Sequence, residues 1–341
     1  MPAVSPPPSV SNLNAVALRV GVSVSTVSRA ITRPEKVRRE TRERVLQVLE
    51  EMEYRPNRVA RRLRQRGGRR NLLGLIIPDI QNPFFSDISR GVEDVAYANQ
   101  FAVMLCNSND DPTKEAFYLD VLRSESVDGI ILPPINHPQS AVVKFAESGI
   151  PFVMVDRRLD HPAMKDLVET DNRLGAFGAV DYLARQGHKR IGILLGQLHV
   201  STSADRKLGY EEALRRNNLP VDPSLIRIGD YKQANGLAFT EELLAGEDPP
   251  TAIFASNHPM TLGAIQAIRR RKLRIPDQLA LIGFGDAPWT EMIDPPLSVI
   301  RQPAYAVGRA AAELLIKRLE DRQAPAATIR LVPQLILRNS C

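Results

Sequence analysis

A chain of 341 residues, 43% hydrophobic and 25% charged, is long enough for two or three domains and a large buried core. It has no apolar run long enough to span a bilayer, and its two cysteines, Cys106 and Cys341, can build neither a disulfide framework nor a metal cluster, so a reducing cytoplasm is the expected compartment. The net charge of +6 is unevenly spread: residues 1–70 carry 16 Lys and Arg against 6 Glu, a balance of +10, and the remainder carries 29 against 33, a balance of −4.

The first residues, MPAVSPPPSVSN, lack the basic start and apolar core of a secretory signal, and their Pro and Ser content predicts a disordered tail over 1–11. Leu13, Val16, Ala17 and Val20 then recur at three and four, one stripe of a short helix that Gly21 ends. A second stripe runs through Val24, Val27 and Ile31, with Ser23 placed to accept a hydrogen bond from the free amides at that helix's start. Helix, tight turn, helix is also the outline of a DNA-reading motif, whose second helix lies in the major groove with its first residues facing base edges. Here those residues are Val24, Ser25, Thr26 and Ser28, with Arg29 one turn on. Short side chains let the helix sink close, hydroxyls bond base or phosphate, and an arginine can make a two-pronged contact to guanine. Any helical hairpin shares that outline; its coincidence with the basic segment, which supplies attraction to phosphates, favours DNA.

RRETRERVLQVLEEMEY predicts a third helix, capped by Thr41, with Val45, Leu46, Val48, Leu49 and Met52 as its apolar stripe and Glu50, Glu51 and Glu53 facing water. It completes a three-helix headpiece over 12–55. Arg55 to Asn71 then holds eight arginines in seventeen residues. Pro56 can start a short helix, Val59, Ala60 and Leu63 share one face, and Gly67-Gly68 ends it. So short and like-charged a helix is marginal alone, and would form where phosphates neutralise its arginines, with Leu63 as a wedge between base steps in the minor groove.

From Asn71 onward, LLGLIIP, AVMLCN, GIILPP and PFVMVD read as buried parallel strands, with ISRGVEDVAYAN and FYLDVLRSE as helices between them; RIGILLG, TAIFAS and LALIGFG repeat the series, and ATIRLVPQLILRNSC reads as a final strand. Two open α/β halves follow, and their ligand is expected beyond the carboxyl ends of the strands, in the cleft between the halves. Enzymatic chemistry finds no support. GFGDAP has Pro288 where a dinucleotide fingerprint needs its last glycine, the five histidines are scattered, and no nucleophile elbow or Walker motif occurs. No metal or cofactor is expected.

VALRVGVSVSTVSRAI, RPNRVARRL and LLGLIIPDIQNPFF occur in the order and at the spacing of the lactose-repressor (LacI/GalR) family, which the chain resembles from about Asn12 to its end. The resemblance implies a homodimeric repressor on a pseudo-palindromic operator, with paired hinge helices kinking its centre. Carried over by position, Val24, Ser25 and Arg29 match base-reading positions, Ala60 and Leu63 the minor-groove and intercalating positions, and Asn57 a hinge residue near the backbone. It also implies a hinge over 56–70 and a two-lobed periplasmic-binding-protein-like domain over 71–341. The chain would cross between lobes near 171, 302 and 331, giving an N-lobe of about 71–171 and 302–331 and a C-lobe of about 172–301 and 332–341. Helix 1 departs from the family at Ala15, where many members carry aspartate.

By the same resemblance, Phe84, Phe85, Arg157, Thr202, Arg206, Tyr231, Asn257 and Gln302 match positions that line the effector pocket, aromatics stacking on an apolar ligand face and polar groups fixing hydroxyls. The alternative for Phe84 and Phe85 is plain core, and for Arg157 a surface pair with Asp156 or Asp160. Two departures concern charge: Gly285 stands where relatives commonly have an aspartate, and His258 replaces another acid. Both remove negative charge beside Arg157 and Arg206, so a sugar acid or sugar phosphate is expected over a neutral sugar or a purine-type corepressor, unless Asp286 turns inward. Ligand binding would change operator affinity by favouring one lobe arrangement, with release of DNA as the expected sign. No heptad repeat follows the last strand, so a dimer is expected over a tetramer. A solute-binding transport protein or an architectural DNA binder would each share only one part of this layout.

Overall fold

The computed structural model describes residues 13–32, 34–52, 70–135, 141–162 and 164–341. They fall into two compact units, residues 1–69 and 70–341. The tail over 1–11, Glu53 and the segment holding Pro56, Asn57, Ala60, Leu63 and Gly67-Gly68 lie outside the described residues.

In the first unit, α1 (Leu13–Val20), α2 (Val24–Thr32) and α3 (Arg39–Glu51) enclose a small core of Val16, Ala17, Val20, Val27, Ala30 and Val45. Gly21 takes φ +74° at the turn between α1 and α2, a conformation glycine adopts without strain. Ser23 Oγ accepts from the Thr26 amide at 3.2 Å, as an N-cap should. Two expectations for α3 need correction. Thr41 lies within the helix, because Arg38 occupies the cap position without a side-chain bond, and Leu46 is exposed. Arg44 of α3 instead reaches the Val20 carbonyl at 2.8 Å, satisfying one of the free acceptors at the end of α1.

The second unit contains two six-stranded sheets. The first is ordered β11-β5-β4-β3-β1-β2 and is parallel throughout: β1 (Leu72–Ile77), β2 (Ala102–Asn107), β3 (Gly129–Leu132), β4 (Phe152–Val155), β5 (Leu167–Thr170) and β11 (Thr328–Leu331). The second is ordered β12-β10-β9-β8-β6-β7: β6 (Ile191–Gly196), β7 (Ile226–Gly229), β8 (Ala252–Ala255), β9 (Ala280–Phe284), β10 (Ser298–Arg301) and an antiparallel β12 (Gln334–Ile336). The segment read as one final strand is therefore two, one in each sheet. Val332 and Pro333 separate them, and proline cannot continue a strand ladder.

Helices cover both faces of each sheet, so most strands are buried on two sides, as parallel strands require. α4 (Pro83–Ala98) and α12 (Ala304–Glu320) pack on the first sheet over Leu73, Leu75, Ile77, Ile131 and Val153. They meet so closely that a Cβ on Gly91 would strike the Tyr305 carbonyl and one on Gly308 the Ile88 carbonyl. α5 (Pro112–Ser124) and α6 (Ala141–Ala146) lie with the other core of that lobe. In the second lobe, α7 (Asn172–Arg185) packs with α8 (Ser201–Arg216), and α9 (Gln233–Ala245) with α10 (His258–Arg270); the short α11 (Pro288–Met292) follows β9. The strand ends of both sheets converge on a cleft.

Candidate nucleic-acid interface and ligand cleft

Four of the five α2 residues singled out above are polar and lie on an accessible side of the first unit. Ser25 and Arg29 are exposed, and Val24, Thr26 and Ser28 are half-buried while Val27 and Ala30 anchor the helix. Ser23 Oγ sits 2.8 Å from both Ser25 Oγ and Thr26 Oγ1, so the hydroxyls at the helix start are already oriented.

The cleft of the second unit holds about 510 Å³ of empty space, part of it open to solvent. Its lining includes Phe84, Phe85, Arg157, Thr202, Arg206, Tyr231, Asn257, His258 and Gln302, and also Asp79, Asp110, Asp156, Lys232 and Phe284, which were not expected. Phe84 and Phe85 serve twice. They belong to the lobe core, 5.1 Å apart edge to face, and their helix starts at the cleft because Asn82 caps α4 by accepting from the Phe84 amide.

Arg157 is buried and gripped end-on by Asp110, Nη1 to Oδ1 at 2.5 Å and Nη2 to Oδ2 at 3.3 Å. Asp156 is a second acid 3.9 Å from its Nε. A three-residue turn, closed by the Arg157 amide on the Val155 carbonyl at 2.6 Å, carries Asp156 at φ +64° and aims Arg157 and Arg158 differently. Burial pushes the Asp156 carboxyl up to about 6, against the pull of Arg157 and Arg206. Asp110 is also raised by burial, but Arg157 more than offsets this and holds it below the usual carboxylate range.

The opposite wall is tied together by neutral groups. Arg206 donates to Asn172 Oδ1 at 2.9 Å and to the Ser256 carbonyl at 2.5 Å, and its guanidinium lies 3.9 Å over the Phe284 ring. Thr202 Oγ1 is 3.1 Å from the Tyr231 hydroxyl, which also bonds Ser203. Asn257 caps α10 through Met260 N and gives its amide to the Tyr231 carbonyl, so both ends of its side chain serve the fold. His258 is buried, and desolvation pushes it down to about 4, against Asp286 and with the help of Arg206; it is neutral at physiological pH. Its Nε2 stands 2.5 Å from where a Cβ on Gly285 would be, and Gly285 has φ +112°, so these two departures from the family pattern form one packed unit.

Asp286 does not join them. It is absent from the cleft lining because Thr290 (2.6 Å), Arg301 (2.7 Å) and Arg338 (3.1 Å) hold its carboxylate. Burial raises its pKa, but those hydrogen bonds bring it below the ordinary value.

Three buried polar atoms of cleft-lining residues lack a hydrogen-bond partner: Asp156 Oδ1, Arg157 Nε and Gln302 Nε2. One is an acceptor and two are donors. Two further side-chain contacts run between the lobes, Lys232 Nζ to Asn109 Oδ1 at 3.0 Å and, outside the cleft lining, Arg158 to both oxygens of Asp205 at 2.6 and 2.7 Å.

Known proteins resemble the chain over nearly its whole length. Residues 12–57 match the description "Bacterial regulatory proteins, lacI family", and residues 180–341 match a periplasmic binding protein-like domain. The HTH-type transcriptional repressor CytR of Escherichia coli (strain K12) is 35% identical over 335 residues, 97% of this chain and 96% of the relative. Catabolite control protein A of Priestia megaterium is 34% identical over 326 residues, 95% of this chain and 97% of the relative. Among solved structures, the complex of transcriptional regulator CelR with cellobiose superposes with a TM-score of 0.74 at 28% identity, covering 97% of this chain and 100% of that one.

Proposed function

The chain belongs to the lacI family of bacterial regulatory proteins, DNA-binding transcriptional repressors rather than enzymes, and from that premise we propose how its two units divide the work. Repressors of this family bind operator DNA and small-molecule effectors and act as dimers. The first unit reads the operator through Val24, Ser25, Thr26, Ser28 and Arg29, and in this reading the hinge assigns Ala60 and Leu63 to the minor groove and Asn57 to the backbone. The second unit binds the effector in its cleft, with Phe84, Phe85, Thr202, Tyr231 and Phe284 around the ligand and Asp156, Arg157, Arg206, His258 and Gln302 addressing its polar groups. Binding shifts the population of lobe arrangements, and the effector releases DNA.

The effector we favour is a neutral, hydroxyl-rich molecule of the sugar type, not the acid or phosphate expected from the losses at Gly285 and His258. His258 supplies no positive charge, and Arg157 already has a carboxylate in its fork. The lining carboxylates Asp79, Asp110 and Asp156 are matched by Arg157, Arg206 and Lys232, so no net field draws an anion in. The observation that carries this reading is the mixed set of unpartnered atoms, Asp156 Oδ1, Arg157 Nε and Gln302 Nε2. A hydroxyl both donates and accepts, and so answers an acceptor and a donor together.

The test is fluorescence anisotropy with a duplex from the protein's own promoter region, at fixed salt, titrated with neutral sugars, sugar acids, sugar phosphates and purines. Neutral sugars alone should lower operator affinity. A response to acids or phosphates alone would restore the charge reading, and a response to none of the panel would remove both. Arg29→Ala should weaken operator binding by about 1–3 kcal/mol and relax specificity at one base pair.

A further inference from the structure

The acid in the fork of Arg157 comes from a loop that the sequence reading left without a role. Residues 108–111 join β2 to α5, and three successive side chains there have three separate partners. Asn109 reaches Lys232 in the other lobe, Asp110 takes Arg157, and Asp111 caps α5 by accepting from Thr113 N at 2.8 Å. Ser108 is buried and its amide bonds the Ile77 carbonyl at 2.8 Å, so the loop is anchored at its root. Asn109 and Asp110 both sit in the left-handed region, φ +56° and +57°, a conformation that short polar side chains tolerate best.

We propose that Asp110 is a built-in counter-ion for Arg157 and excludes anionic ligands from the cleft, so that this one carboxylate decides the charge class of effector. The inference rests on the cleft being the effector site. Asp110 occupies the end of the guanidinium through two parallel N–H bonds, the arrangement by which a ligand carboxylate or phosphate would be held. The arginine side chain is 6% exposed and the aspartate 33%, so the cation is fixed in the wall and its partner is the more accessible of the two. An anionic ligand could take the fork only by ejecting Asp110, leaving that carboxylate loose in a cleft that already holds Asp156 and has Glu115 behind it. A neutral ligand leaves the pair intact, with both terminal nitrogens of Arg157 still on Asp110. Arg206 and Lys232 face the same space from the other lobe, and neither carries the carboxylate grip seen at Arg157.

The experiment uses the full chain without DNA and inorganic phosphate as the probe, read by thermal unfolding at constant ionic strength with chloride as the reference ion. Wild type should gain from phosphate only the non-specific stabilisation that a salting-out anion and the basic first unit supply, and this shift is the baseline for the variants. Asp110→Asn should unfold earlier in chloride and be rescued by phosphate, by about 4 °C at tenfold above its Kd. Adding Arg157→Gln to it should abolish that rescue. A purely structural Asp110 would lose stability without ion-specific recovery. Asp110→Ser offers the same readout should the asparagine variant fold poorly, and Asp110→Glu should behave as wild type. The proposal fails if wild type and variant respond alike, if neither variant responds, or if the rescue survives without Arg157. A failure of neutral sugars to act on operator binding would sink the effector reading but leave this result standing, because phosphate is read on the free protein.

Discussion

The two sheets of the large unit are built alike, six strands each, yet they furnish the cleft differently. The first lobe brings Asp110, Asp156 and Arg157, charges that answer one another. The second brings Thr202, Arg206, Tyr231 and Asn257, whose bonds run to amides, carbonyls, hydroxyls and a ring, with the neutral His258 beside them. A shared topology therefore decides only where strand ends arrive. What each wall can bind depends on whether its polar groups are already spent, and that is a matter of partners rather than residue types. Arg157 and Arg206 are equally buried, 5% exposed each, but one is neutralised by a carboxylate and the other by neutral dipoles.

The largest expected effect tests how rigid the second wall is. Gly285→Asp forces a side chain onto φ +112° and drives its Cβ toward His258 Nε2, 2.5 Å away. Strain and overlap together should cost roughly 4 kcal/mol in urea unfolding. His258→Ala in the same chain should recover roughly half by removing the overlap and leaving the strain. A loss below about 1 kcal/mol would mean that the Gly285–His258 unit does not shape this wall.

The walls should also respond to pH with opposite sign. Burial raises Glu115, whose Oε2 accepts from the Ile135 amide at 3.1 Å, to about 7, and Asp156 to about 6. With folded pKa values above the unfolded ones, these first-lobe acids contribute stability that is full below about pH 4 and lost as pH rises through 6 to 7. His258, pushed down to about 4, contributes stability present above about pH 6.5 and lost as pH falls through 4. Glu115→Gln should therefore gain on wild type by up to about 3 kcal/mol near pH 8, and His258→Gln by a similar upper bound near pH 4, in denaturant titrations at both ends of the range. Two variants shifting the same limb would erase the contrast.

How much of this was legible depended on whether the signal was an apolar run. LLGLII, IGILLG and ALIGF are continuous enough to be read as strands, whereas β5, β7 and β10 are four residues each and interrupt themselves with Glu169, Arg227 or Arg301. Glu169 shows why: it stands beside Arg330 in the β5–β11 register, and their 2.7 Å ion pair hides two strands behind charged residues. Most cleft residues were found because the family resemblance assigns them position by position. Asp110 was missed because NDDP reads as a polar loop before a helix, and only geometry separates Asp111, the cap, from Asp110, the counter-ion. Asp286 was assigned to the cleft for its place beside Gly285, and the arginines that claim it, Arg301 and Arg338, lie 15 and 52 residues away in sequence.

The smallest expected effect asks whether the walls are held together by more than ligand. Arg158, the neighbour of Arg157, bonds Glu169 of its own lobe at 3.3 Å and both oxygens of Asp205 in the other lobe, where its amide also donates to Ser201 Oγ at 3.0 Å. When the lobes separate, the Asp205 and Ser201 bonds break while the Glu169 bond can persist, so the arginine has a partner in either arrangement and the ion pair contributes to their balance. Arg158 is 40% exposed, so solvent screens the pair and its share is about 1 kcal/mol or less. Asp205→Asn should accordingly weaken effector affinity by up to about fivefold in calorimetry, with the stoichiometry of binding unchanged. Because the closed arrangement is the one that binds, the same variant should need more effector to alter operator affinity while leaving ligand-free operator affinity nearly unchanged. An affinity equal to wild type would assign lobe closure to the ligand and the cleft residues alone, and the two walls would then meet only through what lies between them.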